Sequence, residues 1–505
     1  MPVTRVHLND SPAKQLPKLH PLEGFGAQFN TNLFTTDGQD RPLTQRQLAE
    51  LGELVDNLKP GHSRIFVRRG VRVGGTGDAA KQLEALMATI KLAQHAGANV
   101  NLTYWGQGPY ANAARLRALD WPNRTFHKWP NPNRRKWPTA LTSGELAGPR
   151  VLMERFARII EKARREGFDC ITHATIQNEP NQGKTDLAKQ GDQRLSMRMY
   201  EWLYRLLDAA LKDIPDPQNP SRSLRKTVAI VGGDLVEKSN SHQDEWLDYI
   251  RANMDIPREG FPSVVDGYSI HVYWAPGGGS DGFPVKLEQR LDHLAKKLKG
   301  LRIDKPVYVT EYGVRMRSAR PKPGLLNGER MEFSPTAAFQ HAWFNALAPQ
   351  YGCVGFAKWV LYRTDKRGNF GEWGMIDAPN PPPPRTSFER SPTYRVTRLF
   401  THLVPLGWTA QQCGRGGANR SVLVSRFAAP NGVHESVAVL NNGPPQQVRV
   451  EKLKPRTDYF AAIWNRDGTG ATNHMPKVTS NAAGAVTVDV PHHCVVALST
   501  RPMGL

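Results

Sequence analysis

Between residues 24 and 363, short apolar runs alternate with longer amphipathic stretches. Eight of the runs have the length and composition of strands: 26–30 (GAQFN), 63–68 (SRIFVR), 99–105 (NVNLTYW), 173–178 (HATIQN), 228–234 (VAIVGGD), 266–274 (DGYSIHVYW), 307–312 (VYVTEY) and 355–363 (GFAKWVLYR). Most are apolar throughout and end in polar or aromatic residues, as parallel strands buried on both faces do. Apolar residues recur three and four apart in 45–57, 80–95, 149–165, 193–212 and 285–298, the spacing of helices with one buried face. Pro149 suits the first turn of its helix. Gly97 and Gly167 stand where C-terminal caps are expected.

This alternation predicts an α/β chain whose segment 22–403 is a (β/α)8 barrel. A doubly wound sheet would usually have fewer strands and a glycine-rich phosphate turn after the first; here that turn reads FNTNLFTT. Past Arg363 the texture changes. APNPPPP at 378–384 reads as a rigid connector, and a helical stretch at 394–402 completes the barrel. From about Leu406 the runs SVLVSRFA, ESVAVLNN, QVRVEKL, DYFAAIWN, AVTVDV and CVVALS are separated by turn residues. They predict an accessory antiparallel β-sandwich at 404–505, joined by an N-terminal strand from 1–21.

Hydrophobic residues make up 39% of the 505 and charged residues 22%, an ordinary soluble balance. No apolar run approaches the roughly 18–20 residues that cross a bilayer, so no membrane partner is expected. The N-terminus lacks the apolar core of a signal peptide, which reads as cytoplasmic for the chain as written, or secreted where a leader has been removed. Cys170, Cys353, Cys413 and Cys494 show no CxxC spacing, which argues against a zinc site; Cys170 and Cys353 read as buried small hydrophobes rather than a disulfide. The net charge of +21 favours anionic partners or reflects a solvated arginine-rich surface. No nucleic-acid-binding pattern accompanies it, so no nucleic-acid partner is expected.

Active residues of such barrels sit at the C-terminal ends of strands. The fourth run leads into Gln177-Asn178-Glu179-Pro180 and the seventh into Thr310-Glu311-Tyr312-Gly313, so two carboxylates face one mouth. Paired carboxyl groups are what glycosidic-bond hydrolysis needs, at about 5–5.5 Å in retaining enzymes. Here the chain resembles clan A glycoside hydrolases, (β/α)8 retaining enzymes, over the whole barrel. Gly24-Phe25-Gly26 and Gln177-Asn178-Glu179-Pro180 look most like glycoside hydrolase family 30. Asn178-Glu179-Pro180-Asn181 and Lys305-Pro306 before Thr310-Glu311-Tyr312-Gly313 are also similar to families 39 and 5.

The resemblance implies that Glu179 is the acid/base, Glu311 the nucleophile, and Asn178 a partner of the sugar 2-hydroxyl. It implies Arg64 beside the nucleophile, where a fixed positive charge keeps Glu311 ionised. It implies Tyr273 bonded to that carboxylate and Trp359 beneath the sugar. His271 alternates with Tyr273 and faces the mouth with it. Trp105 and Tyr104, Gln28 and Asn30, and Asp234 end their strands and are further substrate-contact candidates. A neighbouring negative Glu311 is expected to raise the pKa of Glu179 until the glycosyl ester removes that charge.

The segment 118–143 carries Trp121, Trp129 and Trp137, each before a proline, among Arg124, His127, Lys128, Arg134, Arg135 and Lys136. It reads as a platform for an anionic or extended polysaccharide, as a nucleic-acid contact by stacking and phosphate pairing, or as a proline-stiffened loop. Gly277–Gly279 lacks the following Lys-Ser/Thr of a phosphate cradle and reads as a lid. Gly371-Glu372-Trp373-Gly374 reads as a rim element. The expected partner is an oligo- or polysaccharide, with no cofactor and no metal. The rival readings are a non-catalytic carbohydrate-binding barrel, a basic nucleic-acid binder and a metal-dependent hydrolase. Two well-placed glutamates oppose the first, and the scarcity of histidines at strand ends opposes the last.

Overall fold

The computed structural model describes residues 3–31, 43–68, 70–105, 143–181, 197–236, 240–275, 283–314, 334–363, 374–377, 388–465 and 472–505. The segments around Trp121, Trp129 and Trp137, Gly277–Gly279, residues 371–373 and 378–384 lie outside these.

Eight parallel strands close into a barrel. In chain order they are Gly24–Phe29, His62–Arg68, Asn99–Trp105, Ile171–Ile176, Ala229–Leu235, Gly267–Trp274, Val307–Val314 and Cys353–Lys358. The α/β barrel expected from the alternation is therefore present. Their side chains are buried almost without exception, because helices cover the outside and packed residues fill the inside. Helix Gln45–Leu58 opens on a capping box in which Gln47 N–H donates to Thr44 Oγ1 and Thr44 N–H to Gln47 Oε1. Gly97 and Gly167 do take positive φ, 74° and 88°, just past their helices.

Three details differ from the sequence reading. Pro149 lies inside helix Ser143–Arg165 rather than at its start; proline is tolerated in a first turn, but here earlier residues extend the helix ahead of it. The eighth strand ends at Lys358, and Tyr362–Arg363 instead pair with Ile376–Asp377 in a small separate sheet. Helix Pro335–Leu347 shows no amphipathic period because every one of its residues from Ala337 to Leu347 is buried.

The chain divides into two compact units, one of residues 1–65, 88–101 and 267–505, the other of 66–87 and 102–266. The first holds the whole first barrel strand, residues 62–65 of the second and the last three. Phe25 stacks on Phe356 at 4.9 Å, and Tyr312 and Trp274 both stack on Phe344, at 4.5 and 5.3 Å. The same unit contains a seven-stranded antiparallel-paired sheet, from Asn9–Asp10 through Thr409–Gly416 to Thr472–Thr479, and a three-stranded sheet in which Val3–Val6 runs parallel to Gln446–Val450. Val6, Val424, Val439, Val448, Val488 and Val496 share one core between these two sheets, making the β-sandwich. It meets the barrel wall where Leu22 N–H donates to Trp408 O (2.7 Å), and where Arg415 lies over the Trp343 ring and pairs with Glu288 at 2.7 Å. The second unit holds the fourth and fifth strands and helices Ser143–Arg165 and Met197–Asp213. All four cysteines are free, and burial pushes the Cys170 and Cys353 thiols up to about 12.

Candidate active site

In the first unit, four of the residues named from sequence converge on the end of the seventh strand. Glu311 is buried, and each of its oxygens is held: Arg64 Nη1 donates to Oε1 at 2.5 Å, and the Tyr273 hydroxyl to Oε2 at 2.8 Å. His271 Nδ1 stands 3.4 Å from Oε2. Arg64 is wholly buried, so its charge acts on the carboxylate with little screening by water. Gln28, buried on the first strand, faces Arg64 in register and lies 3.4 Å from the same Nη1. Its amide also reaches toward Asn30 Oδ1 at 3.4 Å, leaving Asn30 half-buried at the rim.

Backbone irregularity makes this convergence possible. Along the sixth and seventh strands Ile270 pairs with Val309, but the next residue, His271, pairs with Glu311. The register slips by one residue at Thr310, and such a slip re-aims the side chains that follow. The sixth strand is itself clamped from outside: Arg290, on helix Val285–Gly300, donates to Tyr273 O at 2.7 Å and to His271 O at 2.9 Å. Sequence reading missed Arg290, which sits in a run of charged helix positions and looks like solvated surface. Trp359 follows the eighth strand half-buried; its N–H donates to Tyr312 O at 3.3 Å, and Lys358 Nζ donates to its carbonyl.

In the second unit, the fourth strand runs into a strained turn. Gln177 and Glu179 have φ of 64° and 47°, and Asp234, ending the fifth strand, has 54°. Non-glycine residues in this region cost of order 1–3 kcal/mol each and cluster at functional sites. Gln177 N–H donates to Tyr104 O (2.8 Å) and Glu179 N–H to Asp234 O (3.1 Å), so the turn is tied to the third strand on one side and the fifth on the other. Asn178 and Glu179 are nearly buried. Asn181 bonds Val236 with both amide atoms, at 2.7 and 2.9 Å, imitating a strand partner. Its place in the motif is therefore to anchor the turn. Of the third-strand pair, Tyr104 packs into the core against Phe156, while Trp105 is half-buried against Phe66 at 4.8 Å. Sequence reading also missed Tyr200 and Tyr204, whose hydroxyls bond the backbones of both strands below this turn.

The basic composition gathers in part along a groove of about 580 Å³ in this unit, where Arg72, Arg155, Arg158, Lys162 and Arg165 outnumber Glu154 and Glu161. Glu161 pairs with Arg158 at 2.6 Å and Arg165 at 2.7 Å. Its pKa is lowered despite partial burial, because those two guanidiniums outweigh desolvation.

No helix among the described residues is long and apolar enough to cross a membrane. No family model matches the chain, and no curated protein does. Solved structures do match over essentially the whole length. A conserved exported protein from Bacteroides fragilis is 12% identical, with a TM-score of 0.64 over 99% of this chain and 100% of that one. A glycoside hydrolase family 51 arabinofuranosidase from Xanthomonas axonopodis pv. citri is 14% identical, with a TM-score of 0.59 over 98% and 99%. A glycoside hydrolase family 30 subfamily 8 xylanase from Clostridium acetobutylicum is 14% identical, with a TM-score of 0.54 over 95% and 97%. The fold of this chain, a (β/α)8 barrel with a β-sandwich, is thus the one found in clan A glycoside hydrolases.

Proposed function

We propose that this chain is a retaining β-glycosidase of an oligo- or polysaccharide, with Glu311 as nucleophile and Glu179 as acid/base. The observation that carries the reading is the buried Glu311 carboxylate, held on one oxygen by Arg64 and on the other by Tyr273. A guanidinium on one oxygen and a hydroxyl on the other favour the charged form and fix its orientation, as a nucleophilic carboxylate requires. Glu179 follows the fourth barrel strand and Glu311 lies on the seventh, and in such barrels active residues belong to the C-terminal ends of strands, which supports the reading.

In the first step a Glu311 oxygen bonds to the anomeric carbon as the glycosidic C–O bond breaks, and Glu179 gives its proton to the departing oxygen. In the second, Glu179 takes a proton from water, the water oxygen bonds to the anomeric carbon, and Glu311 leaves as carboxylate. Asn178 bonds the 2-hydroxyl, and Trp359, Trp105, Gln28, Asn30 and His271 line the sugar sites. We assign the catalytic body to 22–403 and a bracing sandwich to 404–505 with 1–21; the Arg415 contacts with Trp343 and Glu288 support bracing. The excess positive charge and the arginine groove favour an acidic glycan as substrate.

The test is hydrolysis of aryl β-glycosides (glucoside, xyloside, galactoside, glucuronide, glucosaminide), then of neutral and acidic polysaccharides, by wild type, Glu311→Ala and Glu179→Ala. Loss of activity in both variants, with azide restoring Glu179→Ala and giving a β-azide, is expected. Activity that survives Glu311→Ala, activity of Glu179→Ala that survives on glycans or other poor leaving groups, or no cleavage of any glycan, overturns the reading. An uncharged preferred polymer overturns the acidic-glycan part alone.

A further inference from the structure

The fourth and fifth barrel strands pair in register low in the barrel, at His173 with Ala229 and Ala174 with Ile230. Above that, two tyrosines take over. Tyr204 accepts from Ile176 N–H at 3.0 Å and donates to Val231 O at 2.8 Å, replacing a ladder bond with a hydroxyl bridge. Tyr200, one turn earlier on helix Met197–Asp213, accepts from Gly233 N–H at 2.7 Å and donates to Tyr204 at 2.9 Å. Both rings are fully buried, their centroids 4.7 Å apart. Burial pushes both hydroxyls above their ordinary range, so they stay protonated donors at any working pH. Immediately beyond the bridge the two strands enter the positive-φ residues Gln177, Glu179, Gly233 and Asp234, and the gap closes through Glu179 N–H to Asp234 O.

We propose that Tyr200 and Tyr204 are positioning residues for Glu179: their hydroxyl chain sets the separation of the fourth and fifth strands, and that separation holds the turn which aims the acid/base carboxyl. A direct ladder would draw the strands together and relax the turn. The surrounding structure over-determines the strained φ values only while the wedge is in place. The inference rests on the glycosidase reading of Glu179. It predicts a chemical signature, because misplacing a proton donor hurts only leaving groups that need the proton.

The experiment compares Tyr204→Phe and Tyr200→Phe with wild type on two aryl glycosides of the accepted sugar, one with a phenol leaving group and one with 2,4-dinitrophenol. The readout is the ratio of the two kcat/KM values, which does not depend on the fraction of protein folded. We expect Tyr204→Phe to lose at least about tenfold on the phenyl substrate and under about twofold on the dinitrophenyl one, with Tyr200→Phe showing the same pattern more weakly. A purely structural role predicts equal losses on both substrates, an unchanged ratio and only a lower Tm; that result overturns the assignment. A wild type that cleaves neither substrate nor any glycan overturns the glycosidase reading and this assignment with it.

Discussion

Replacing Tyr273 with phenylalanine removes one hydroxyl and leaves the ring, so it isolates the 2.8 Å bond to Glu311 Oε2. Tyr273 is half-buried, so little cavity forms and water can occupy the vacated place. The bond is charge-assisted, and such bonds contribute about 1.5–3 kcal/mol. That energy is present when Glu311 is a carboxylate and largely absent when it is a glycosyl ester. It therefore stabilises the departing carboxylate in the second step, while in the first step its loss is offset by a more nucleophilic oxygen. At about 1.36 kcal/mol per tenfold, deglycosylation should slow by roughly 10- to 150-fold. With the best aryl glycoside, kcat and KM should fall together, kcat/KM should change little, and stopped-flow traces should gain a burst of aryl alcohol. A variant whose KM rises at constant kcat, or whose kcat moves by less than twofold, would refute this account of the Tyr273–Glu311 bond.

Arg64→Met should leave Glu311 buried without its counter-charge, costing about 3–5 kcal/mol; in thermal melts Arg64→Met/Glu311→Gln should be more stable than Arg64→Met alone, and a merely additive double variant would deny the coupling. His402 is buried and neutral, its pKa lowered to about 4 by desolvation. The unfolded chain binds its proton near 6.5, so stability should rise with pH between about 4 and 6.5. His402→Gln should flatten that slope by roughly 3 kcal/mol in denaturant titrations, at about 1.36 kcal/mol per unit. Gly26→Ala would drive a methyl onto the His62 carbonyl oxygen and to 2.9 Å from its carbon, between the first two strands. It should yield a protein with a Tm lowered by several degrees or no soluble protein, whereas an unchanged Tm would show that the strands can part.

The eight strands were legible because a strand buried on both faces must be apolar along its length, whatever its neighbours are. Glu179 and Glu311 stood out for the same reason, each a charge ending such a run. Helix Pro335–Leu347 was not legible: buried on all sides, it has no polar face to set a period. Arg290 and the Tyr200–Tyr204 pair were hidden because their partners are backbone atoms of distant strands, and backbone atoms leave no trace in a sequence.

Amphipathic spacing and strand composition thus determined by themselves that this chain closes an α/β barrel beside a β-sandwich, since hydrophobic burial is a local property of each element. Only the tertiary structure decided that the register slips between Ile270 and His271, that Asn181 serves as an anchor, and that strands four and five are held apart by hydroxyls. Register and strand separation are set by hydrogen bonds between elements remote in the chain, and their geometry exists only once the barrel has closed.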